Sequence, residues 1–417
     1  MNKREFVRAG VAGSLALLFG DDLWARYAAL PPRRLAQDER FWAALRRQYL
    51  LTTDYINLES GYFSMQSQPV LEAFIGHVRA VNREASHYMR TRQYDDKLAV
   101  RRRLAELAGC PPEELIITRN TTESLDTVIS GFDWHAGDEA VMAEQDYGAM
   151  LDMFRLQARR YGIVNRVVSL PMDPQSDEEI VQLYESAITP KTRLLMVCQM
   201  VNITGQILPV AKICDMAHRH GVQVMVDGAH GFAHLDFRIP DLGCDYYGAS
   251  LHKWLGAPLG AGLLWVRRDH IAPLWPIYGD LTMADDDIRK LNHTGTHPVH
   301  TDLGIADAID FHLGIGIQRK EARLRHLQRH WTDQVRGQSG ITLYTPADPR
   351  RSCAIANAGV STMAPAVLAR TLLERYRIWT VAIDGAGVHG VRITPHLFTT
   401  TGDLDALVRA LETLAAS

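Results

Sequence analysis

The segment Ser250-Leu251-His252-Lys253-Trp254 contains the residue of this sequence that is best suited to covalent chemistry. It directly follows a predicted strand, and glycines come soon after it at positions 256, 260 and 262. A lysine in a loop at the end of a buried strand can be desolvated, which lowers its pKa and makes its amine nucleophilic toward an aldehyde. Lys253 is therefore a candidate catalytic residue. The alternative is a surface lysine in a turn.

A second candidate, Asp227, ends the apolar run Val224-Met225-Val226 and precedes Gly228-Ala229-His230-Gly231. The carboxyl ends of parallel strands form the ligand-binding edge of a sheet. A carboxylate at that edge suits the cationic nitrogen of a heterocycle, such as a protonated pyridine. The alternative is an aspartate that caps the following helix.

A third candidate site lies in residues 116–124, where an apolar strand ends in the polar turn Arg119-Asn120-Thr121-Thr122 and a helix begins. Backbone N–H groups at a helix start bind anions, and the two threonine hydroxyls add donors. The pattern predicts a phosphate site. The alternative is an ordinary helix cap, with Glu123 in the first turn.

The elements that position these residues are short apolar strands that alternate with amphipathic helices. This alternation predicts an α/β fold with a mainly parallel sheet covered on both faces. The predicted strands are 115–118, 140–143, 164–169, 194–198, 222–226, 246–248 and 262–266, and the helices between them include 150–161, 178–187 and 210–220.

The last hundred residues follow a different pattern, which predicts a smaller α+β domain. A long charged helix is predicted at 318–334 and a second helix at 364–376, with a further helix up to the end of the chain. The predicted strands of this part are 354–360, 379–383 and 390–394.

Composition excludes several classes of protein. Of the 417 residues, 47% are hydrophobic and 22% charged, which excludes wholesale disorder, and the net charge of −3 gives no basic field for nucleic acid. No apolar run reaches the ~20 residues of a membrane-spanning helix, so stable membrane insertion is not expected. The five cysteines are scattered and form no CxxC motif, which argues against a zinc ribbon or a disulfide scaffold.

The N-terminus has the features of an export signal. Lys3-Arg4-Glu5-Phe6 resembles the twin-arginine motif, with lysine in place of the first arginine, and a short apolar stretch follows at 9–20. We expect residues 1–30 to direct the protein to the periplasm. The alternative is an N-terminal helix that stays packed on a cytoplasmic protein.

Seven motifs in order, TRNTTE, DYG, VNITG, DGAHG, SLHKW, GTHP and VRITPH, resemble the class V aminotransferase family of fold-type I pyridoxal-phosphate enzymes. The resemblance covers about residues 50 to 415 and is nearest to the isopenicillin N epimerase-like branch. It implies a large domain with a mainly parallel seven-stranded sheet, at 66–315, and a smaller α+β domain at 316–417. Residues 31–65 would form an N-terminal active-site segment.

The resemblance also implies the roles of individual residues. Lys253 matches the lysine that holds pyridoxal phosphate as an imine, Asp227 the partner of the pyridine nitrogen, and His230 a neighbour of the phenolic oxygen. The other positions implied to bind the cofactor are Thr121, Thr122, Ser250 and His252 at the phosphate, Asn202 at the phenolic oxygen, and Tyr147 on the pyridine face, where core packing is the alternative.

Two further positions concern the partner subunit and the substrate. Thr296, in the GTHP motif, matches a segment that relatives extend into the neighbouring subunit's phosphate site, so a homodimer is implied. Arg392 matches the arginine that binds the substrate carboxylate, with a surface ion pair as the alternative. The Glu59-Ser60-Gly61 segment departs from the family's usual Asn/Gly-rich version.

The resemblance implies an enzyme that acts at the α carbon of an amino acid or a peptide-derived amine. Transamination needs only Lys253, whereas epimerisation needs a second acid, for which Tyr88, His87 and His297 are candidates. A cysteine desulfurase is disfavoured because residues 379–392 contain no cysteine and Cys353 lies upstream.

Three further interpretations compete with these. The protein could be a tailoring enzyme that modifies a peptide natural product after export. A pyridoxal-binding regulator is disfavoured because residues 1–50 contain no helix-turn-helix. A relative that has lost the cofactor would not be expected to keep both Lys253 and Asp227.

Overall fold

The computed structural model of the chain describes Tyr27 and residues 29–417. The predicted export signal, residues 1–30, therefore lies outside the described residues except for Tyr27, Ala29 and Leu30. The Tyr27 ring is buried, and its centroid lies 5.0 Å from that of Phe41.

A seven-stranded sheet forms the centre of the structure, in the order β2-β8-β7-β6-β5-β3-β4. β8 runs antiparallel to both of its neighbours, and the other pairs are parallel. The strands are β2 Leu115–Thr118, β3 Glu139–Ala143, β4 Val164–Val168, β5 Thr192–Cys198, β6 Gln223–Asp227, β7 Tyr246–Ser250 and β8 Gly262–Val266.

A four-stranded antiparallel sheet follows near the C-terminus, in the order β12-β13-β10-β9. A separate parallel pair, β1 with β11, joins the N-terminal segment to this part of the chain. These strands are β1 Ile56–Asn57, β9 Ile341–Leu343, β10 Ala356–Val360, β11 Ile378–Trp379, β12 Val381–Gly385 and β13 Val388–Ile393.

Helices connect the strands and cover the sheets. Most of them begin at a Pro, Ser, Asn, Asp or Thr, as expected for helix starts. They are α1 Pro32–Leu35, α2 Glu39–Arg46, α3 Gln68–Thr91, α4 Gln93–Ala108, α5 Thr121–Gly131, α6 Gly148–Tyr161, α7 Asp177–Ser186, α8 Val210–Arg219, α9 Val299–Ile315, α10 Ile317–Val335, α11 Pro365–Tyr376 and α12 Thr401–Ala415.

The central strands are buried on both faces, because successive side chains of a strand point to opposite sides. In β6, for example, Val224 and Val226 pack into one hydrophobic core while Met225 packs into the other. A third core, which includes Leu327, Trp331 and Leu411, lies against the smaller sheet. The mainly parallel seven-stranded sheet predicted from the sequence is confirmed. Its carboxyl edge, where β5, β6 and β7 end, is the place where the candidate residues meet.

No helix among the described residues is both long and apolar enough to cross a membrane.

Candidate active site

A cavity of about 290 Å³ lies at the carboxyl edge of the central sheet. It brings together side chains from strand ends, from the start of α5 and from the distant C-terminal sheet. Its lining includes the following sequence-predicted residues: Thr121, Thr122, Tyr147, Asn202, Asp227, His230, Ser250, His252, Lys253 and Arg392.

Lys253 follows β7 and is part of a hydrogen-bonded chain of three side chains. The indole N–H of Trp254 donates to His230 Nδ1 at 3.2 Å, and His230 Nε2 lies 3.2 Å from Lys253 Nζ. Because Nδ1 accepts a hydrogen bond, a neutral ring must carry its hydrogen on Nε2 and donate it toward the lysine. This chain favours an unprotonated amine at Lys253.

The electrostatic environment of Lys253 also favours its unprotonated form. Burial lowers the pKa of Lys253 to about 8, although the nearby Asp227 carboxylate favours the charged form. Burial, together with the positive charges of Lys253 and Arg392, holds the pKa of His230 well below its usual range. The site therefore contains a neutral imidazole beside an amine that is readily deprotonated.

Asp227 is the last residue of β6 and is buried, with Oδ1 accepting a hydrogen bond from the Ala229 N–H at 3.0 Å. The segment that follows forms turns at residues 229–234, so the aspartate does not cap a helix. Gly228 is required there because an added Cβ would lie 2.0 Å from Tyr247 Cζ. Burial raises the pKa of Asp227, and a cationic partner would offset that burial.

The start of α5 faces the cavity. The Thr121 N–H donates to Ser250 Oγ at 2.9 Å, and the Asn120 side chain caps the helix by accepting the Glu123 N–H at 2.8 Å. Glu123 itself binds the Arg119 guanidinium through two contacts of 3.0 and 3.1 Å. Its charge is therefore neutralised by Arg119, which leaves the helix terminus suited to an anion.

His252 is partly buried, whereas Tyr147 is exposed. His252 Nδ1 donates to the Ala261 carbonyl at 3.2 Å, and burial lowers its pKa to about 4. Tyr147 lies just before α6 with 44% of its surface exposed, so the alternative of core packing is wrong for this residue.

Arg392, on β13, lines the cavity but is already bound by a carboxylate. Glu59 accepts from Arg392 Nη2 at 2.6 Å and from Nε at 3.1 Å, and both side chains are buried. Arg392 Nη1 also donates to the Asn202 carbonyl at 3.3 Å. The predicted substrate-binding arginine is therefore part of an ion pair, but a buried one rather than the surface pair considered from the sequence.

Several residues singled out from the sequence lie away from this cavity. Thr296 is exposed and does not line it. Among the candidate second acids, Tyr88 is buried and donates to Asp96 at 2.8 Å, His297 lies 3.0 Å from Asp302, and His87 is exposed on α3.

Three residues in or beside the cavity lining were not identified as site residues from the sequence: Glu59, Cys198 and Tyr62. Glu59 appeared only as a departure from the family pattern, and its contact with Arg392 spans 333 positions. Cys198 at the end of β5 and Tyr62 carried no motif, but a cysteine that ends a predicted strand could have been noticed. Burial raises the pKa of Cys198 well above its usual range, so it is a thiol rather than a nucleophilic thiolate.

The lining fits pyridoxal phosphate. The helix start, two hydroxyls and His252 suit a phosphate, Asp227 suits a pyridinium nitrogen, and Lys253 suits an aldehyde. Asn202 lines the same cavity, and its buried Oδ1 has no hydrogen-bond partner in the described chain. A polar ligand would satisfy that side chain.

Comparison with known proteins agrees with this chemistry. A family model described as Aminotransferase class-V matches residues 63–410. An isopenicillin N epimerase of Amycolatopsis lactamdurans is 32% identical over 397 residues, which covers 90% of this chain and 98% of that protein. A cysteine desulfurase of Haloferax volcanii is 27% identical over 312 residues, 71% of this chain and 72% of that protein.

Solved structures share the fold. The cysteine desulfurase CsdA of Escherichia coli has a TM-score of 0.77 at 24% identity, covering 90% of this chain and 98% of its own. A C-DES mutant with glycine covalently linked to its PLP cofactor has a TM-score of 0.79 at 22% identity, covering 88% of this chain and 99% of its own. Taken with the family model and the cavity, these findings show that the chain belongs to the class V aminotransferase family of pyridoxal-phosphate-dependent enzymes.

Proposed function

We propose that this enzyme moves the α proton of an amino-acid-derived amine, with Lys253 as the base. The observation that carries the proposal is the contact of Lys253 Nζ with His230 Nε2 at 3.2 Å inside a cavity that also contains Asp227. Lys253 is partly buried and its pKa is lowered, as a base that works near neutral pH requires.

The residues of the cavity take the following roles in this proposal. Bound pyridoxal phosphate supplies an aldehyde for the substrate amine and a ring that accepts electrons from the α carbon. Asp227 would keep the ring nitrogen protonated. The Asn202 amide and the His230 Nε2–H, which faces Lys253 in the free site, would donate toward the phenolic oxygen. Tyr147 covers the ring face. The phosphate is held by Thr121, Thr122, Ser250 and His252.

Transamination is the reaction that the site supports best. Lys253 alone can take the proton from the α carbon and return it elsewhere, and none of Tyr88, His87 and His297 lines the cavity. Desulfuration is disfavoured because Cys198, which lines the cavity, is a buried thiol at a strand end rather than a mobile nucleophile.

Epimerisation is the second candidate, for one specific reason. The isopenicillin N epimerase of Amycolatopsis lactamdurans covers 90% of this chain. Epimerisation needs an acid on the face opposite Lys253, and the phenols of Tyr62 and Tyr147 both line the cavity. In this alternative, one of the two tyrosines replaces the acids proposed from the sequence.

Product analysis in D2O separates the two reactions. The holoenzyme is incubated with a panel of amino acids and amino-acid amides. We expect an α-keto product in an amount equal to the enzyme when no amine acceptor is present. Deuterium in both enantiomers without a keto product would instead establish epimerisation, and absence of either product and of deuterium exchange would contradict the proposal.

The lysine assignment has a matched control in the chain. Lys320 is buried, and burial lowers its pKa to about 7, but it does not line this cavity. Borohydride reduction followed by peptide mass spectrometry should place the cofactor on Lys253. Lys253→Ala should abolish the adduct and Lys320→Met should retain it, whereas an adduct on Lys320 would refute the assignment.

We further propose that the protein is a homodimer whose partner copy completes the phosphate site through Thr296. Large apolar side chains are exposed around the cavity, which is unusual for a surface that faces water: Tyr62 and Leu259 line it, and Tyr278 accepts a hydrogen bond from Arg119. A second copy of the chain is the occupant that explains both these side chains and the exposed Thr296.

We also propose the chain organisation and location implied by the sequence. Residues 31–65 form an active-site segment, 66–315 the cofactor domain and 316–417 the small domain. The twin-arginine-like motif in residues 3–6 supports export to the periplasm, and a peptide natural product is one class of substrate that such an enzyme would meet there. Without export, the protein would be cytoplasmic.

A further inference from the structure

The carboxylate of Glu59 lies next to the cavity, where it binds two residues of the lining, Tyr62 and Arg392. Its Oε1 accepts from the Tyr62 N–H at 2.9 Å and from Arg392 Nη2 at 2.6 Å, while its Oε2 accepts from Arg392 Nε at 3.1 Å and lies 3.4 Å from Thr394 Oγ1. These contacts use the acceptor sites of both oxygens. Glu59 is therefore not available as a ligand for a substrate.

The backbone around Glu59 prevents the carboxylate from leaving. The N–H groups of Ser60 and Gly61 both donate to Thr394 Oγ1, at 2.6 and 3.0 Å, and Glu59 forms a bridge with Thr394. The turn also packs closely on the guanidinium, because a Cβ added to Gly61 would lie 3.0 Å from Arg392 Cζ. Displacing Glu59 would remove the acceptor of the Tyr62 N–H and the contacts that hold this turn, which opposes a simple exchange with a substrate carboxylate.

Glu59 balances the positive charge of the Arg392 guanidinium, but some of the guanidinium hydrogens remain free to donate. Its Nε/Nη2 edge is used by Glu59, and Nη1 has one donor on the Asn202 carbonyl. One hydrogen on Nη1 and one on Nη2 remain. Among the described residues that line the cavity, the other arginine, Arg119, is also neutralised by a glutamate.

The charge balance disfavours a free carboxylate at this position. A substrate carboxylate would add one negative charge to a buried pair that already sums to zero, in the cavity that would also hold the cofactor's phosphate. Burying an uncompensated charge is costly, whereas a carbonyl oxygen needs only a donor. The remaining Arg392 hydrogens suit such an acceptor.

We infer that the Glu59–Arg392 pair selects substrates whose α-carboxyl group is an amide or ester, as in a residue within a peptide, over free α-amino acids. This inference rests on the proposed function, since it concerns the substrate of the same site. Glu59 is a specificity-determining residue in it, acting through Arg392.

Absorbance titrations of the holoenzyme test the inference. The probes are L-alaninamide and L-alanine, which differ at the carboxyl group, and each reports binding by perturbing the visible band of the cofactor. We expect the wild-type enzyme to bind the amide at least about tenfold more tightly. Equal or tighter binding of L-alanine by the wild type would overturn the inference without any variant.

Glu59→Gln gives the second arm, because it removes the charge and keeps an acceptor oxygen for Arg392. The ratio of the affinities for L-alaninamide and L-alanine should be smaller in this variant than in the wild type by about tenfold or more. The two probes differ in amine basicity, but this difference is the same for both enzymes and cancels when their ratios are compared. Glu139→Gln is the matched control: Glu139 is also buried and bound by an arginine, Arg166 at 2.8 Å, but at the start of β3 away from the cavity. Its preference should equal that of the wild type.

The two hypotheses fail in different ways. If borohydride fixes the cofactor on Lys253 but L-alanine binds better, or Glu59→Gln leaves the preference unchanged, the inference is overturned and the proposed function stands. If Glu59→Gln does not fold, Glu59→Asp serves as the second variant. It keeps the negative charge and should keep the preference for the amide. Loss of the preference in Glu59→Asp would count against a role of the Glu59–Arg392 pair.

Discussion

At the scale of single residues, the chemistry depends on the orientation of one imidazole. Trp254 donates to His230 Nδ1, and this contact determines that His230 directs a hydrogen toward Lys253. The Trp254 ring is completely buried and also lies 3.8 Å, centroid to centroid, from His234. Trp254 is therefore a positioning residue, which acts on the lysine through the histidine.

Replacement of Trp254 by Phe should raise the pKa of Lys253. Without the indole N–H, the His230 ring can carry its hydrogen on Nδ1 and accept from a lysine ammonium, which stabilises the charged form. Capture of pyridoxal phosphate by the apoenzyme requires the neutral amine. Its rate should rise with pH through about 8 in the wild type, and the inflection should move up by about 1 pH unit in the variant.

The control for this variant is Trp331→Phe. Trp331 is also completely buried but belongs to the core of the smaller sheet, and its indole N–H has no partner in the described chain. Its capture profile should match that of the wild type. If the pH profile of Trp254→Phe coincides with those of the wild type and Trp331→Phe, the indole of Trp254 does not affect the pKa of Lys253.

At the scale of elements, the sequence predicted the strands of the central sheet well and their long-range partners less well. β2 and β8 have the predicted bounds, because each is a short apolar run between turn residues. β9 was not predicted, since so short a strand carries no periodicity. The two-residue β1 lies in the N-terminal active-site segment that the resemblance implied, but its bounds were not predicted. The Glu59–Arg392 pair lies beside the isolated bridge between Glu59 and Thr394, and periodicity in the sequence does not reveal such a single bridge.

The loop before α9 provides a prediction at this scale. Thr296→Glu would place a negative charge where the partner's phosphate site is proposed, so this variant alone should lose activity. Mixed with Lys253→Ala protomers after dissociation and reassociation, it should recover up to about one quarter of wild-type activity per protomer. Half of random dimers are mixed, and each has one intact site of two.

An exposed threonine elsewhere serves as the control for that experiment. Thr362, in the loop before α11, is not part of the cavity lining, and Thr362→Glu should remain active without mixing. Full activity of Thr296→Glu, or activity of the wild type as a monomer at high dilution, would refute the shared site.

At the scale of the whole molecule, the question is where the folded enzyme works. Cell fractionation and N-terminal sequencing should find a periplasmic protein that lacks the motif at residues 3–6, because the twin-arginine route carries folded proteins and the cofactor can be loaded in the cytosol first. A processing site before Tyr27 would preserve the contact of its buried ring with Phe41.

The control for export replaces the paired basic residues of the motif, Lys3 and Arg4, by Gln. This variant should stay full-length in the cytosol with its cofactor bound. Full-length wild-type protein confined to the cytosol of cells that have the transporter would contradict export and leave the catalytic assignment standing.

The pairing of Glu59 with Arg392 has a consequence for biosynthesis. A ribosome delivers Glu59 early, and its partner arrives 333 residues later, when the chain is almost complete. Contacts of such long sequence separation form late in folding. The wall of the cavity is therefore finished only when the C-terminal sheet has been made and has docked, so a truncated chain cannot present a complete substrate site.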